Sequence, residues 1–252
     1  MAASAATPPD FGSETGLHLF VAWYCPFAQR TWIAANEKGI PYKLHEMAVR
    51  DDKGSWGLPK PKPDWFLRLN PQGAVPVLAY QEEDTVHNIY ESLICNEFLD
   101  EMAAEPALMP PHPAVKARAR LIVDRFGQKI VPLFYRLLLA QEPTAQGEVA
   151  AQLASELTKL EGMVDSAGPF LMGSNFTLVD CAVLPFLIRF PVLKHFRGFE
   201  LPAECERLAA WYKLAVQRPT VKATMVVPEP GADYAKELQG TYQKYADNTV
   251  NS

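Results

Sequence analysis

Leu17-His18-Leu19-Phe20-Val21-Ala22-Trp23 runs straight into Tyr24-Cys25-Pro26-Phe27-Ala28-Gln29-Arg30, an apolar stretch of strand character joined to a helix-like one with a cysteine at the join. Proline suits the first turn of a helix, where its missing N–H has no intrahelical partner and its fixed φ is already helical. Pro26 therefore predicts Cys25 at or next to the N-cap, with its sulfur facing unpaired backbone N–H groups and the positive end of the helix dipole. In such positions a cysteine pKa near 8.5 falls to about 3.5–7.5, and the thiolate is the reactive form. The motif thus predicts a nucleophile. It also admits a plainer reading, a small buried hydrophobic cysteine beside a helix start.

Outward from this join, the pattern alternates strand and helix. A strand over 17–22 is followed by a helix over Pro26–Lys38, closed by Gly39 as a left-handed C-cap, and by a second strand over 42–48. Residues 50–63 read as a loop. Asp64–Leu69 makes a short helix, stopped by Asn70-Pro71-Gln72-Gly73. Extended structure resumes over 75–80, with Pro76 expected at an edge or bend because it has no N–H for a ladder. A hairpin through Glu82-Glu83-Asp84 precedes a helix over 91–99.

Beyond a Pro- and Ala-rich linker at 103–113, every signal is helical. Apolar residues at helical spacing predict helices over 114–139 and 146–164, and Thr177-Leu178-Val179-Asp180 is a capping-box arrangement opening an almost wholly apolar helix over 178–188. Tyr234, Leu238, Tyr242 and Tyr245 recur at spacings of four, four and three on a last helix, either as core packing or as an aromatic wall of an acceptor site between the domains. The fold class is α/β followed by all-α: a tail at 1–15, an α/β domain at 16–102, the linker at 103–113 and an all-helical domain at 114–252.

The chain has 252 residues, 48% hydrophobic and 21% charged, with a net charge of −5. That composition describes a globular protein with room for a sizeable core, and no Lys/Arg cluster supplies the electrostatic footprint that nucleic acid or an anionic membrane requires. Cys25, Cys95, Cys181 and Cys205 lie far apart without a Cys-x-x-Cys pair or a histidine at ligand spacing, so neither a metal centre nor a disulfide framework is expected. No apolar run approaches the roughly 20 residues of a membrane span. Residues 1–15 have neither the basic and apolar regions of a secretory signal nor the arginines of a transit peptide, so the cytoplasm is the expected compartment.

Cys25-Pro26-Phe27-Ala28-Gln29-Arg30, then Asn70-Pro71-Gln72-Gly73-Ala74-Val75-Pro76-Val77-Leu78, then Ile89-Tyr90-Glu91-Ser92, then Thr177-x-x-Asp180 in a helical half, together resemble the cytosolic glutathione transferases. The pattern looks nearest to the cysteine-type omega class, with Lys60-Pro61-Lys62-Pro63-Asp64-Trp65-Phe66 before the Asn-Pro turn. The plant lambda class comes next. This resemblance implies a thioredoxin-like N-terminal domain, an all-helical C-terminal domain, glutathione as co-substrate, no metal and a homodimer. It implies Cys25 as the catalytic residue and Phe27, Lys62, Val75, Pro76, Glu91 and Ser92 around glutathione. Val75 would pair with the peptide backbone of glutathione, Glu91 and Ser92 would hold its γ-glutamyl end, and Lys62 would approach the glycyl end. On the residues alone, Val75-Pro76 could merely turn an edge strand and Glu91-Ser92 merely start a helix. Tyr234, Leu238 and Tyr242 are the acceptor-site candidates, and Arg30 is expected to anchor its helix internally.

Ala28 occupies the place of a second cysteine in a dithiol site, so the expected chemistry is thiol transfer or reduction through a Cys25–glutathione mixed disulfide. The acceptor would be a small thiol, disulfide, glutathione conjugate or dehydroascorbate. The alternative is a non-catalytic protein on the same fold that holds glutathione conjugates or hydrophobic ligands, with an unreactive Cys25.

Overall fold

The structure, a computed structural model, describes residues 8–10, 16–52 and 54–250. Apart from 8–10, the tail expected at 1–15 lies outside the described residues. The first half builds a four-stranded mixed sheet in the order β2-β1-β5-β6 from β1 (Gly16–Val21), β2 (Lys43–Glu46), β5 (Val77–Glu82) and β6 (Thr85–Tyr90). β1 pairs parallel with β2 and antiparallel with β5, which pairs antiparallel with β6. Leu19, Phe20 and Val21 are fully buried, as a central strand covered on both faces demands. α1 (Pro26–Lys38) makes the crossover from β1 to β2 and packs against α3 (Ser92–Met102), and α2 (Asp64–Leu69) precedes β5. Gly39, at φ 63, closes α1 as expected.

The 50–63 region departs from the expected plain loop. It holds a small hairpin of β3 (Val49–Arg50) and β4 (Trp56–Gly57). The reason lies in Trp56, which is buried edge-on against Trp23 with the Arg50 guanidinium stacked over its ring. Extended structure after the Asn-Pro turn starts at Val77 and not at 75, because Pro76 sits just ahead of the ladder.

In the helical half, α4 (Pro113–Arg125) and α5 (Val131–Leu139) are separated by a π-helical turn over Phe126–Ile130, where the sequence predicts one helix over 114–139. Pro132 has no N–H for the carbonyl four residues back, and the wider turn precedes it. α6 (Pro143–Glu161) leads to α7 (Leu178–Leu187), whose ten residues are all buried. α8 (Phe190–Arg197), α9 (Glu206–Ala215), α10 (Pro219–Lys222) and α11 (Tyr234–Ala246) follow. Thr177 and Asp180 form the expected capping box.

The chain divides into two units, Met1–Ala107 with Thr220–Tyr234 and Leu108–Pro219 with Ala235–Ser252. The sequence reading has 220–234 within the helical stretch at 114–252, whereas here it groups with the first unit. The segment over Thr220–Tyr234 returns to the first unit because Gln29 donates to Thr224 Oγ1 at 2.9 Å, Asn36 donates to the Thr220 carbonyl at 2.9 Å and Arg50 pairs with Glu229 at 2.7 Å. The linker residues are likewise divided: the Leu108 carbonyl accepts from Leu178 N–H inside the helical unit, while Pro106 belongs to the first. There the buried Lys38 ammonium donates to the Asp100 carboxylate at 2.9 Å and to the Asp100 and Pro106 carbonyls at 3.1 and 2.7 Å. Replacing Lys38 by methionine strands these acceptors. Since the Asp100 carboxylate keeps some access to water, the expected cost is about 2 kcal/mol in urea unfolding, below that of breaking a fully buried pair.

Candidate active site

Cys25 is the N-cap of α1, with φ −80° and ψ 119°, and Pro26 stands at the first helical position. The strand ends at Val21, and Cys25 N–H bonds back to the Ala22 carbonyl at 2.8 Å, closing a tight turn that presents the side chain at the helix mouth. The thiol is half-buried and donates to the Val75 carbonyl at 3.9 Å. Cys95, Cys181 and Cys205 are buried instead. Burial pushes the Cys95 thiol up to about 12 and raises that of Cys205. Reactivity toward a dissolved reagent is thus concentrated at Cys25.

The loop that carries Val75 is braced by Asn70. Its side chain donates to the Ala74 carbonyl at 2.9 Å and accepts from Gln72 N–H at 3.0 Å, and its own carbonyl takes Gly73 N–H at 2.8 Å. Gly73 has φ 60°, and a Cβ there would meet the Lys62 side chain at 2.4 Å. Lys62 therefore lies along this turn, its ammonium donating to the Gln72 carbonyl at 3.3 Å. The Val75–Pro76 peptide is cis.

At the start of α3, Glu91 is an exposed N-cap at φ 69° and Ser92 is buried. Arg30, itself buried on α1, donates to Ser92 Oγ at 3.3 Å, and Thr31 donates to the Ser92 carbonyl at 3.3 Å. With its oxygen already accepting, the Ser92 hydroxyl keeps its proton for another acceptor at the positive end of α3. The half-buried Phe27 ring covers the Arg30 guanidinium at 5.2 Å. The anchoring role expected for Arg30 thus connects the cysteine helix to Ser92. One thiol at a helix N-terminus, one backbone edge and a second helix N-terminus meet within one unit, an arrangement suited to a small peptide that bears a sulfur and carboxylates.

The family model for the glutathione S-transferase N-terminal domain matches residues 24–102, and the model for the C-terminal domain of the same family matches residues 108–214. The chain belongs to the glutathione S-transferase family. It is 28% identical over 229 residues to mouse (Mus musculus) glutathione S-transferase omega-1, covering 91% of this chain and 88% of that one. A rice (Oryza sativa subsp. japonica) relative named "Probable glutathione S-transferase DHAR1, cytosolic" is 28% identical over 206 residues, 81% of this chain and 85% of its own. Among solved structures, glutathione transferase Omega 3C from Trametes versicolor superposes with a TM-score of 0.75 at 35% identity, covering 98% and 95% of the two chains. The thioredoxin-like sheet domain followed by a helical domain is the glutathione transferase fold, and the relatives make this chain omega-like.

In this glutathione transferase, Cys25, Phe27, Lys62, Val75, Pro76, Glu91 and Ser92 all lie in the first unit. The C-terminal candidates are divided. The Tyr234 ring packs edge-on against Trp23 in that unit, whereas Leu238 and Tyr242 are buried in the helical unit, Tyr242 edge-on against Phe134. Two supports escaped the sequence reading. Asn70 enters the sequence reading as a helix stop and as the first residue of a family motif, without the bracing role of its side chain, at which the Asn-Pro-x-Gly turn hints. Glu46, which binds the turn before Cys25, gave no signal at all. Among the described residues no three His, Cys, Asp or Glu side chains form a metal-binding group, and no helix is long and apolar enough to cross a membrane.

Proposed function

We propose that this protein is a glutathione-dependent thiol transferase and reductase that works through a Cys25–glutathione mixed disulfide. The observation that carries the reading is a single accessible thiol at the N-cap of α1, with Ala28 and no second cysteine one turn on. The Cys25 thiolate attacks the glutathione sulfur of a mixed disulfide G–S–S–R. The S–S bond breaks, RS⁻ leaves and takes a proton from water, and Cys25–S–S–G remains. A second glutathione thiolate attacks the glutathione sulfur of that adduct, giving glutathione disulfide and restoring the Cys25 thiolate. The two exchanges add no net charge and consume one free glutathione per mixed disulfide, the other half of the glutathione disulfide coming from the substrate itself. Dehydroascorbate, which also takes two electrons, enters one step earlier: the Cys25 thiolate adds to a carbonyl carbon, a first glutathione thiolate attacks the Cys25 sulfur so that the C–S bond breaks and ascorbate leaves, and a second glutathione resolves the resulting Cys25–S–S–G, two glutathiones being consumed.

The glutathione-binding roles rest on local chemistry. Val75 supplies a backbone edge for the cysteinyl residue, the Ser92 hydroxyl and α3 N–H groups suit the γ-glutamyl carboxylate, and exposed Glu91 suits its ammonium. Lys62 suits the glycyl carboxylate. Tyr234 is the C-terminal candidate in the same unit as Cys25 and is the one we keep for the acceptor. A homodimer is the assembly we propose, supported by the exposed apolar side chains Ile94 and Leu121, and the cytoplasm the compartment.

Incubation with glutathione disulfide is expected to load one glutathione onto Cys25, seen by intact mass and peptide mapping, and fresh glutathione is expected to discharge it. Bound glutathione with an unmodified Cys25 would favour the non-catalytic binding protein, and fast conjugation of an electron-poor aryl halide would point to a transferase of the hydroxyl type. For Ser92→Ala, loss of one bond to a charged group predicts a KM for glutathione raised about tenfold or more, with kcat little changed.

A further inference from the structure

β1 and β2 run parallel, and their register sets Glu46 opposite Val21, where both strands end beside the cysteine turn. The ladder continues one step further, with Met47 N–H on the Val21 carbonyl at 2.7 Å. Trp23 N–H then has no strand partner, because β1 has stopped. The Glu46 carboxylate takes it on both oxygens, at 3.3 and 3.2 Å, and also takes Ala48 N–H at 2.7 Å. Trp23 is the second residue of the Ala22–Cys25 turn, and that turn aims the Cys25 thiol at the Val75 carbonyl. Its indole is held edge-on by Tyr24, Trp56 and Tyr234, so the turn is clamped by rings on one side and by a carboxylate on the other.

We propose that Glu46 is a positioning residue for Cys25, tying the end of β2 to the turn that aims the nucleophile. The inference rests on the assignment of Cys25 as the reacting thiol. A carboxylate holds both N–H groups with full charge on its oxygens, whereas a carboxylic acid keeps one good acceptor and adds a proton that must find a partner. Burial pushes the Glu46 carboxyl up to about 7, against the lowering effect of the Ala48, Trp23 and Met47 N–H groups. The other titratable groups on the elements packed here are His18 on β1, Lys43 and His45 on β2, Tyr24 and Cys25 on the turn, Arg50 on β3 and Tyr234; none of them is among the causes of the shift. His45 points to the opposite face of the strand, and Arg50 is paired with Glu229. The grip on the turn is therefore strongest above neutrality and weakens as the pH falls through about 7.

The test separates aim from ionisation. The rate of Cys25 alkylation by iodoacetamide, followed by peptide mass mapping, is divided at each pH by the thiolate fraction from ultraviolet absorbance. In the native protein the rate per thiolate is expected to change several-fold between about pH 6 and about pH 8, around the Glu46 ionisation. In Glu46→Gln the profile is expected to be flat, with kcat for mixed-disulfide reduction down about tenfold and the KM for glutathione within about twofold. A flat native profile, a native-like profile in Glu46→Gln, or native kcat in that variant would overturn the proposal. If Glu46→Gln does not fold, the native profile alone decides. Alkylation needs no turnover, so it remains a valid reading even if Cys25→Ser leaves mixed-disulfide reduction unchanged; that second result would overturn the role of Cys25 and not the aim set by Glu46.

Discussion

Cys25→Ser lowers glutathione-dependent reduction of a small mixed disulfide at least about a thousandfold, measured by coupling glutathione disulfide formation to its NADPH-dependent reductase. The size follows from the chemistry of the replaced atom. A serine hydroxyl does not ionise near neutrality and cannot form the S–S bond on which both exchanges depend. The substitution removes little volume from a half-buried position, and the N-cap prefers serine, so the fold is expected to stay intact. No other thiol can take over, because Cys95, Cys181 and Cys205 are buried. Equal rates in both proteins would remove Cys25 from the reaction. A variant that keeps glutathione binding with its reduction lost would place the defect in the chemical step.

Asp180→Ala destabilises the protein by about 4 kcal/mol, read as a shifted midpoint in urea unfolding at unchanged slope. Asp180 is fully buried, and its carboxylate accepts from Leu171 N–H at 3.1 Å, Thr177 N–H at 2.7 Å, Thr177 Oγ at 2.8 Å and Trp211 Nε1–H at 2.7 Å. Alanine leaves four donors without an acceptor where water has no access, and each stranded group costs about 1–3 kcal/mol before the site relaxes. The loss also uncaps α7, the fully buried helix at the centre of its unit. Burial raises this carboxyl to about 6 in spite of its four donors, so between about pH 4 and about pH 6 the native state binds more protons than the unfolded chain. Stability from this group consequently falls as the pH rises through that window, and the alanine variant lacks the dependence. Asp180→Asn keeps one acceptor oxygen and is expected to lose about half as much. A change under about 1 kcal/mol in the alanine variant would show that water or a rearranged loop replaces the carboxylate.

Residues close together in the chain settled most of what could be read from it. Cys25, Pro26 and Gly39 mark both ends of α1 by backbone chemistry that needs no distant partner, and Thr177 with Asp180 marks the start of α7 in the same way. The order of short motifs, from the Cys-Pro helix to the Asn-Pro turn and the Glu-Ser pair, was enough to name the family. Pairing between distant segments was legible only in the tertiary structure, because hydrogen bonds of that kind leave no periodicity in a sequence. Trp56 gave no strand signal, yet burying its ring against Trp23 organises β3 and β4. The return of Thr220–Tyr234 to the first unit depends on Gln29, Asn36 and Arg50, polar side chains that in a sequence read as solvent-facing. Pro132 was visible, but its effect became a π-helical turn only within a packed helix pair. Lys62 was placed by contact with Gly73, and Glu46 by strand register, since a carboxylate at the end of β2 reaches the Cys25 turn only when β1 and β2 lie side by side. Local sequence was enough for the helix ends, the N-cap place of Cys25 and the family; the contact of Glu46 with the turn before Cys25 emerged only on folding, because it is a relation between segments that are distant in the chain.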